Sequence, residues 1–230
     1  MRIAKLFARL LATGLALAAL SSHAEVRPGV DFDYLPTVMP TDSPGKIEVI
    51  EFFWYGCPHC YHLEPKVEAW EATLPKDVVF RREHVMWDGR SDMQGHAKVF
   101  VALKALGQVN ALTPKVFNAI QKDGIELRDE KTLFDWVAKQ GVNRAQFEAA
   151  YKSFGAQSGL NRAGQLTRDY RIDGVPNFIV NGKYKTSPSK TGDEAKLFQV
   201  INELIAKERA AAPAAKPAAA PAAAAKPAKK

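Results

Sequence analysis

Two cysteines, Cys57 and Cys60, are the only ones in the 230 residues, and they stand in the sequence Cys57-Pro58-His59-Cys60. Thiol–disulfide exchange needs a thiolate that attacks and a second thiol near enough to resolve the mixed disulfide. At a helix N-terminus this spacing supplies both. The first sulfur sits where free N–H groups and the helix dipole favour negative charge, and the second lies one turn on. A protonated His59 stabilises a Cys57 thiolate further. Each pKa unit so gained is about 1.4 kcal/mol, which in a two-electron couple is about 30 mV. Pro58-His59 between the cysteines therefore points to donation of disulfides rather than reduction.

Other uses of the pair compete. A disulfide closing four residues contributes only about 2 kcal/mol by loop entropy, against nearly 5 for a loop of about 100 residues, so it makes a poor staple. Zinc needs two more ligands, and His59 and His62 on the same short turn give poor tetrahedral geometry. Haem attachment needs His at position 61, which is Tyr. Cu(I) would suit two thiolates, but only Met39, Met86 and Met93 follow the leader to enrich such a site. The expectation is a redox-active disulfide with no metal and no organic cofactor.

The elements that must position the pair read as follows. Lys46–Trp54 is a strand apolar on both faces, suited to the centre of a covered sheet. Tyr55-Gly56 turns the chain into a helix carrying Leu63, Val67, Trp70 and Leu74, with Pro58 in its first turn and Pro65 inside it. Asp77–Val85 is a second strand. From 90 to 165 the pattern changes to short helices: one capped by Ser91 and stopping at Gly107, one opened by Thr113-Pro114, one from Asp129 to Gly141, one from Asn143 to Gly155. Their buried faces use Phe100, Leu103, Phe117, Ile120, Leu133, Val137, Phe147, Tyr151 and Phe154. Asn177–Val180, Asn181-Gly182 and Lys183-Tyr184 then form a hairpin about a two-residue turn. A last helix runs from about Asp193 to Glu208. The fold class is α/β, a thioredoxin fold with an inserted all-helical subdomain: residues 25–89 and 166–209 make the thioredoxin-like part, and 90–165 the insertion.

The two ends are of another kind. Residues 1–24 are a basic start, an apolar run and Ser22-His23-Ala24, a signal peptide cleaved after Ala24. Residues 210–230 contain only Ala, Pro and Lys, a basic tail whose composition favours disorder. The leader carries three cations and the tail four, which accounts for the whole formal charge of +7. Residues 25–209 hold 25 basic and 25 acidic groups, so the high pI is no argument for nucleic-acid binding.

Glu51-Phe52-Phe53, Cys57-Pro58-His59-Cys60-Tyr61 and Gly174-Val175-Pro176 before Phe178–Tyr184 resemble the DsbA family of periplasmic disulfide donors, from about Phe32 to Glu208. The resemblance implies that Cys57 is an exposed attacking sulfur and Cys60 its buried partner, and an oxidising couple with an acidic Cys of the kind DsbA itself exemplifies. It makes Val175-Pro176 a cis-proline loop that faces the disulfide and pairs with an extended substrate. Residues alone read Pro176 as an ordinary strand-start proline. Glu51 falls in an apolar strand, so its pKa should rise and it would take or give protons, with Glu64 and with Arg82 or Lys66 nearby; the alternative is a strand-end carboxylate facing water. His62, His84 and His96 read as surface or packing residues, and Phe52, Phe53, Trp54 and Tyr55 as mostly core, the alternative for Trp54 and Tyr55 being the border of a peptide groove. The implied partners are unfolded or folding exported proteins with free thiols and a quinone-linked membrane oxidase of the DsbB type, and the protein is expected to be a monomer. An isomerase would carry a dimerisation domain, for which Glu25–Lys46 is too short; a chaperone would tolerate Cys57→Ser. Gly56, where family members vary, alters the groove's edge, and the Ala/Pro/Lys tail lies outside the family pattern.

Overall fold

The computed structural model describes residues 25–211, so the leader through Ala24 and the tail beyond 211 lie outside the described residues. Strand β2 (Ile47–Phe53) is the centre of a five-stranded sheet and is buried along its full length. It runs parallel to β3 (Val78–His84) and antiparallel to β4 (Asn177–Val180); β5 (Tyr184–Thr186) and the short β1 (Asp33–Tyr34) complete the order β1-β5-β4-β2-β3. The β4–β5 turn places Asn181 at φ 50 and Gly182 at φ 64, the pattern expected of an Asn-Gly hairpin turn. A Cβ on Gly182 would come within 2.1 Å of the Met39 carbonyl oxygen, so glycine is required on two counts.

Helices cover both faces because strand alternation makes both faces apolar. On one face Ile47 and Val49 pack against Leu63, Val67 and Trp70 of α1 (Pro58–Glu71) and against Leu197, Val200 and Ile201 of the last helix, α8 (Glu194–Ala211). On the other, Ile50 and Phe52 meet Val85, Met93, Tyr170 and Ile179. This register sends Glu51 to the α1 face, and a slip of one residue would send it to the other.

Between β3 and β4 lie α2 (Ser91–Ala105), α3 (Val109–Phe117) continued by a π-helical turn (Asn118–Lys122), α4 (Glu130–Lys139), α5 (Arg144–Tyr151) and α6 (Phe154–Asp169); a short α7 (Pro188–Thr191) precedes α8. Phe100, Phe117, Leu133, Val137, Phe147 and Tyr151 form their core, which joins Phe53 and Tyr55 at the end of β2. Asp129 and Asn143 cap α4 and α5 through Thr132 N–H and Gln146 N–H. Four expectations are corrected. Ser91 is the first residue of α2, and Arg90 before it makes no side-chain cap. Thr113-Pro114 lies inside α3, which Gly107-Gln108 already admits four residues earlier. The helix from Asn143 stops at Tyr151 rather than Gly155, because Ser153 caps a new helix by accepting from Ala156 N–H. Phe154, at its outer end, is 86% exposed rather than core.

Candidate active site

The chain leaves the sheet at Phe53 and turns through Trp54–Gly56, closed by Cys57 N–H donating to the Trp54 carbonyl at 2.9 Å. A Cβ on Gly56 would fall 2.3 Å from the Trp54 ring, so only glycine lets that ring lie across the turn. Tyr55 is fully buried and does not border a groove. Its hydroxyl meets Thr113 Oγ1 at 3.2 Å, its carbonyl accepts from Gln121 Nε2 at 2.8 Å, and its N–H donates to His84 Nε2 at 3.4 Å. Trp54 is half-buried and donates from Nε1 to His96 Nδ1 at 3.2 Å. His84 and His96 are thus packing residues, held neutral because burial pushes their pKa values down to about 3 and about 4. His62 is on the surface.

Cys57 is the N-cap of α1, with extended backbone (φ −91, ψ 116) and Pro58 in the first turn. Its sulfur accepts from Cys60 N–H at 3.5 Å and lies 3.6 Å from the Val175 carbonyl oxygen. The Val175–Pro176 peptide is cis. The Cys60 thiol donates to the Cys57 sulfur, and this, with the N–H groups of Cys60 and His59 and the charge of His59, outweighs partial burial and lowers the Cys57 pKa to about 6. Burial and the neighbouring Cys57 push Cys60 well above the ordinary thiol range. Cys57 keeps 6% of its surface and Cys60 none. Cys57 is therefore largely covered in this structure rather than exposed. Beside it, a cleft of about 680 Å³ is lined by His59, Val175, Pro176, Thr186, Ser189 and Lys190 among others.

Behind Cys60 lies a buried charge cluster. Arg82 donates to Glu64 Oε1 at 3.0 Å and to Glu71 Oε2 at 3.1 Å, and its Nε stands 3.3 Å from Glu51 Oε2 without an aligned hydrogen bond. Burial, opposed by Arg82, raises the pKa of Glu51, and burial together with the charge of Glu51 raises that of Glu64. Lys66 does not join them: it faces outward and pairs with Glu194 at 2.5 Å. Glu71 had no place in the sequence reading, although its spacing of seven from Glu64 puts both on one helix face. The insertion's contributions, Asn110 to Glu71 and Thr113 and Gln121 to Tyr55, have no local sequence signal.

A helix-capping acidic cysteine over a sealed partner, at the end of a parallel β-strand pair and opposite a cis-proline, defines a thiol–disulfide oxidoreductase of the thioredoxin fold. The comparisons with known proteins refine the class. Residues 48–198 match the family described as DSBA-like thioredoxin domain. The thiol:disulfide interchange protein DsbA of Burkholderia cepacia is 43% identical over 85% of this chain and 90% of its own length; that of Pseudomonas syringae pv. tomato is 40% identical over 89% and 95%. The crystal structure of Pseudomonas aeruginosa DsbA superposes with a TM-score of 0.76 at 35% identity, covering 81% of this chain and 96% of that one. Reduced DsbA1 from Neisseria meningitidis does so at 0.72 and 31%, covering 82% and all of that chain. The chain belongs to the DsbA family, and it is a disulfide oxidoreductase whose redox pair is Cys57–Cys60.

Proposed function

We propose that the protein is a monomeric disulfide donor of the bacterial periplasm, exported by a signal peptide cleaved after Ala24, with residues 25–89 and 166–209 carrying the chemistry and 90–165 inserted over it. A thiolate of an unfolded exported protein attacks Cys57 Sγ, so that a client–Cys57 bond forms while the Cys57–Cys60 bond breaks. The electron pair leaves on Cys60, which takes a proton. A second client thiolate then attacks the client sulfur and releases Cys57 as a thiolate; the client has lost two electrons and the enzyme pair has gained them. A quinone-linked membrane oxidase of the DsbB type restores the disulfide. No metal or organic cofactor enters.

The observation that carries this reading is the contrast within the pair: Cys57 is stabilised as a thiolate and Cys60 is not. A good leaving thiolate at Cys57 makes the mixed disulfide easy to resolve outward, which favours donation. Pro58 preorganises the first helical turn and His59 contributes its positive charge when protonated. Val175 and Pro176 offer their backbone to an extended client segment beside Cys57. Glu51 exchanges a proton with Cys60, and Glu64, which lines a cleft between α1 and α3, exchanges it onward with water. The Ala/Pro/Lys tail has no part in this scheme.

The test uses the oxidised full-length protein and a reduced, unfolded two-cysteine protein. The wild type should convert one equivalent to its disulfide form. Cys60→Ala, loaded from oxidised glutathione and given a client with one of its two cysteines replaced by Ala, should accumulate a mixed disulfide that maps to Cys57, and Cys57→Ser should do neither. Client oxidation by Cys57→Ser would overturn the reading.

A further inference from the structure

Arg82 divides its hydrogen bonds unequally among three carboxylates. Its two aligned bonds go to Glu64 and Glu71 on α1, and the strand carboxylate, Glu51, is left with the unaligned contact. Glu71 is itself held from outside: its other oxygen accepts from Asn110 Nδ2 of α3 at 3.1 Å. The three also differ in solvation, because Glu51 and Glu64 are 1% and 3% exposed whereas the Glu71 side chain retains 26%.

One guanidinium cannot balance three carboxylates of which two are buried, and a carboxylate without water or a cation takes up a proton instead. Glu51 and Glu64 are the two members cut off from water, so the proton falls to them and is shared between neighbouring sites. We propose that Glu71 is a positioning residue for the redox centre's proton: by engaging Arg82 Nη1 and adding a negative charge that water supports, it keeps a proton on the Glu51–Glu64 pair at neutral pH, available to the Cys60 sulfur. This rests on the reading that Glu51 exchanges a proton with Cys60. When the Cys57–Cys60 bond breaks under client attack, that proton converts the Cys60 thiolate to a thiol and leaves the pair ionised; reoxidation returns it.

The groups that face Glu51 are few. From β3 comes Arg82; from α1 come Glu64, with Glu68 beside it, Glu71 and the two cysteines; β4 sets Phe178 opposite Glu51 and offers no charged side chain. The charges of Glu71 and Cys57 both act to raise the proton affinity of Glu51.

The experiment is a pH titration of the oxidised full-length protein labelled with ¹³C in its glutamate carboxyls, followed by NMR, alongside the pH profile of mixed-disulfide formation by the same protein. Glu71→Gln keeps the shape and removes the charge. It should lower the midpoint of the Glu51–Glu64 titration by about one pH unit, a tenfold loss of proton affinity, and move the kinetic profile to lower pH by the same amount. Glu71→Asp, which retains the charge, should restore most of both. An unmoved midpoint in Glu71→Gln, with a kinetic profile that Glu51→Gln still alters, overturns the role of Glu71 alone. A kinetic profile that Glu51→Gln leaves unmoved overturns the Glu51 reading and this inference with it.

Discussion

Arg81 and Arg82 are neighbours on β3, and strand alternation sends them to opposite faces of the sheet. Arg81 meets Glu48 at 3.1 Å, Asp42 at 3.5 Å and Glu83, while Lys104 adds a cation to Glu83 at 2.6 Å and Arg162 another to Asp42 at 2.7 Å. Three cations therefore meet three carboxylates, and the cluster opens to water through Asp42, Lys104 and Arg162. On the α1 face Arg82 is the one cation among the described residues within ion-pairing distance of Glu51, Glu64 and Glu71. Two clusters, each of three carboxylates around a strand arginine, thus differ in balance. A balanced cluster holds the sheet to its surroundings; an unbalanced one must hold a proton, and it lies behind the cysteines.

The comparison breaks most readily at its two strand glutamates. Glu48→Gln strips Arg81 of a fully buried partner and should lower the unfolding free energy by about 3 kcal/mol in urea titrations. Glu51→Gln should act with the opposite sign. The folded-state pKa of Glu51 lies above its unfolded value, so the wild type is increasingly penalised as pH rises through the folded value, and the uncharged variant escapes the penalty. Its gain should reach about 2 kcal/mol at pH 8 and vanish below the ordinary carboxyl range. Equal destabilisation by both substitutions would erase the distinction between the clusters.

A smaller effect reads the other partner in the same chemistry. The Cys57 pKa is depressed in the folded reduced protein, so its contribution to stability is complete above the unfolded thiol value and is lost as pH falls through about 6. Discounted for its partly open surroundings, this is about 1–2 kcal/mol, measurable as wild type against Cys57→Ser, both reduced, from pH 5 to 9. The smallest effect is a control beside the unbalanced cluster. Thr113→Val removes the neutral hydrogen bond to the Tyr55 hydroxyl and should cost about 1 kcal/mol. Burial raises the Tyr55 pKa above its ordinary value, so this cost should be the same at pH 5 and pH 8. A pH-dependent cost would mean that the proton is shared more widely than Glu51 and Glu64.

What could be read from the sequence follows from how local each signal is. Strand β2 was legible to within a residue at each end because its apolar run ends at Trp54 and the Tyr55-Gly56 turn. Asn181-Gly182, Asp129 and Asn143 were legible because a turn or cap is decided by one or two residues. The same logic misled at Gly155, which no positive φ requires and which lies in the first turn of α6 behind the Ser153 cap. It misled at Thr113-Pro114 too, a start signal one turn inside a helix already begun. Lys66 looked available to Glu51, but positions 63, 67 and 70 face the core and turn 66 to solvent. Of the site, Cys57, Pro58, His59, Cys60, Glu51 and Val175-Pro176 were legible from motif and resemblance. Asn110, Thr113 and Gln121 were not, since they reach the cysteines' surroundings from across the insertion.

The account turns on unequal protonation of the two sulfurs, and one measurement addresses it most directly. The reduced full-length protein is titrated while the thiolate absorbance is followed, and the reduction potential of the Cys57–Cys60 pair is taken against glutathione across the same range. A single thiolate appearing with a midpoint near pH 6, lost in Cys57→Ser and moved to higher pH in Cys60→Ala, which lacks the donating thiol, with an oxidising couple in the wild type, is the predicted result. A midpoint near the ordinary thiol value of about 8.5 with a reducing couple would contradict it.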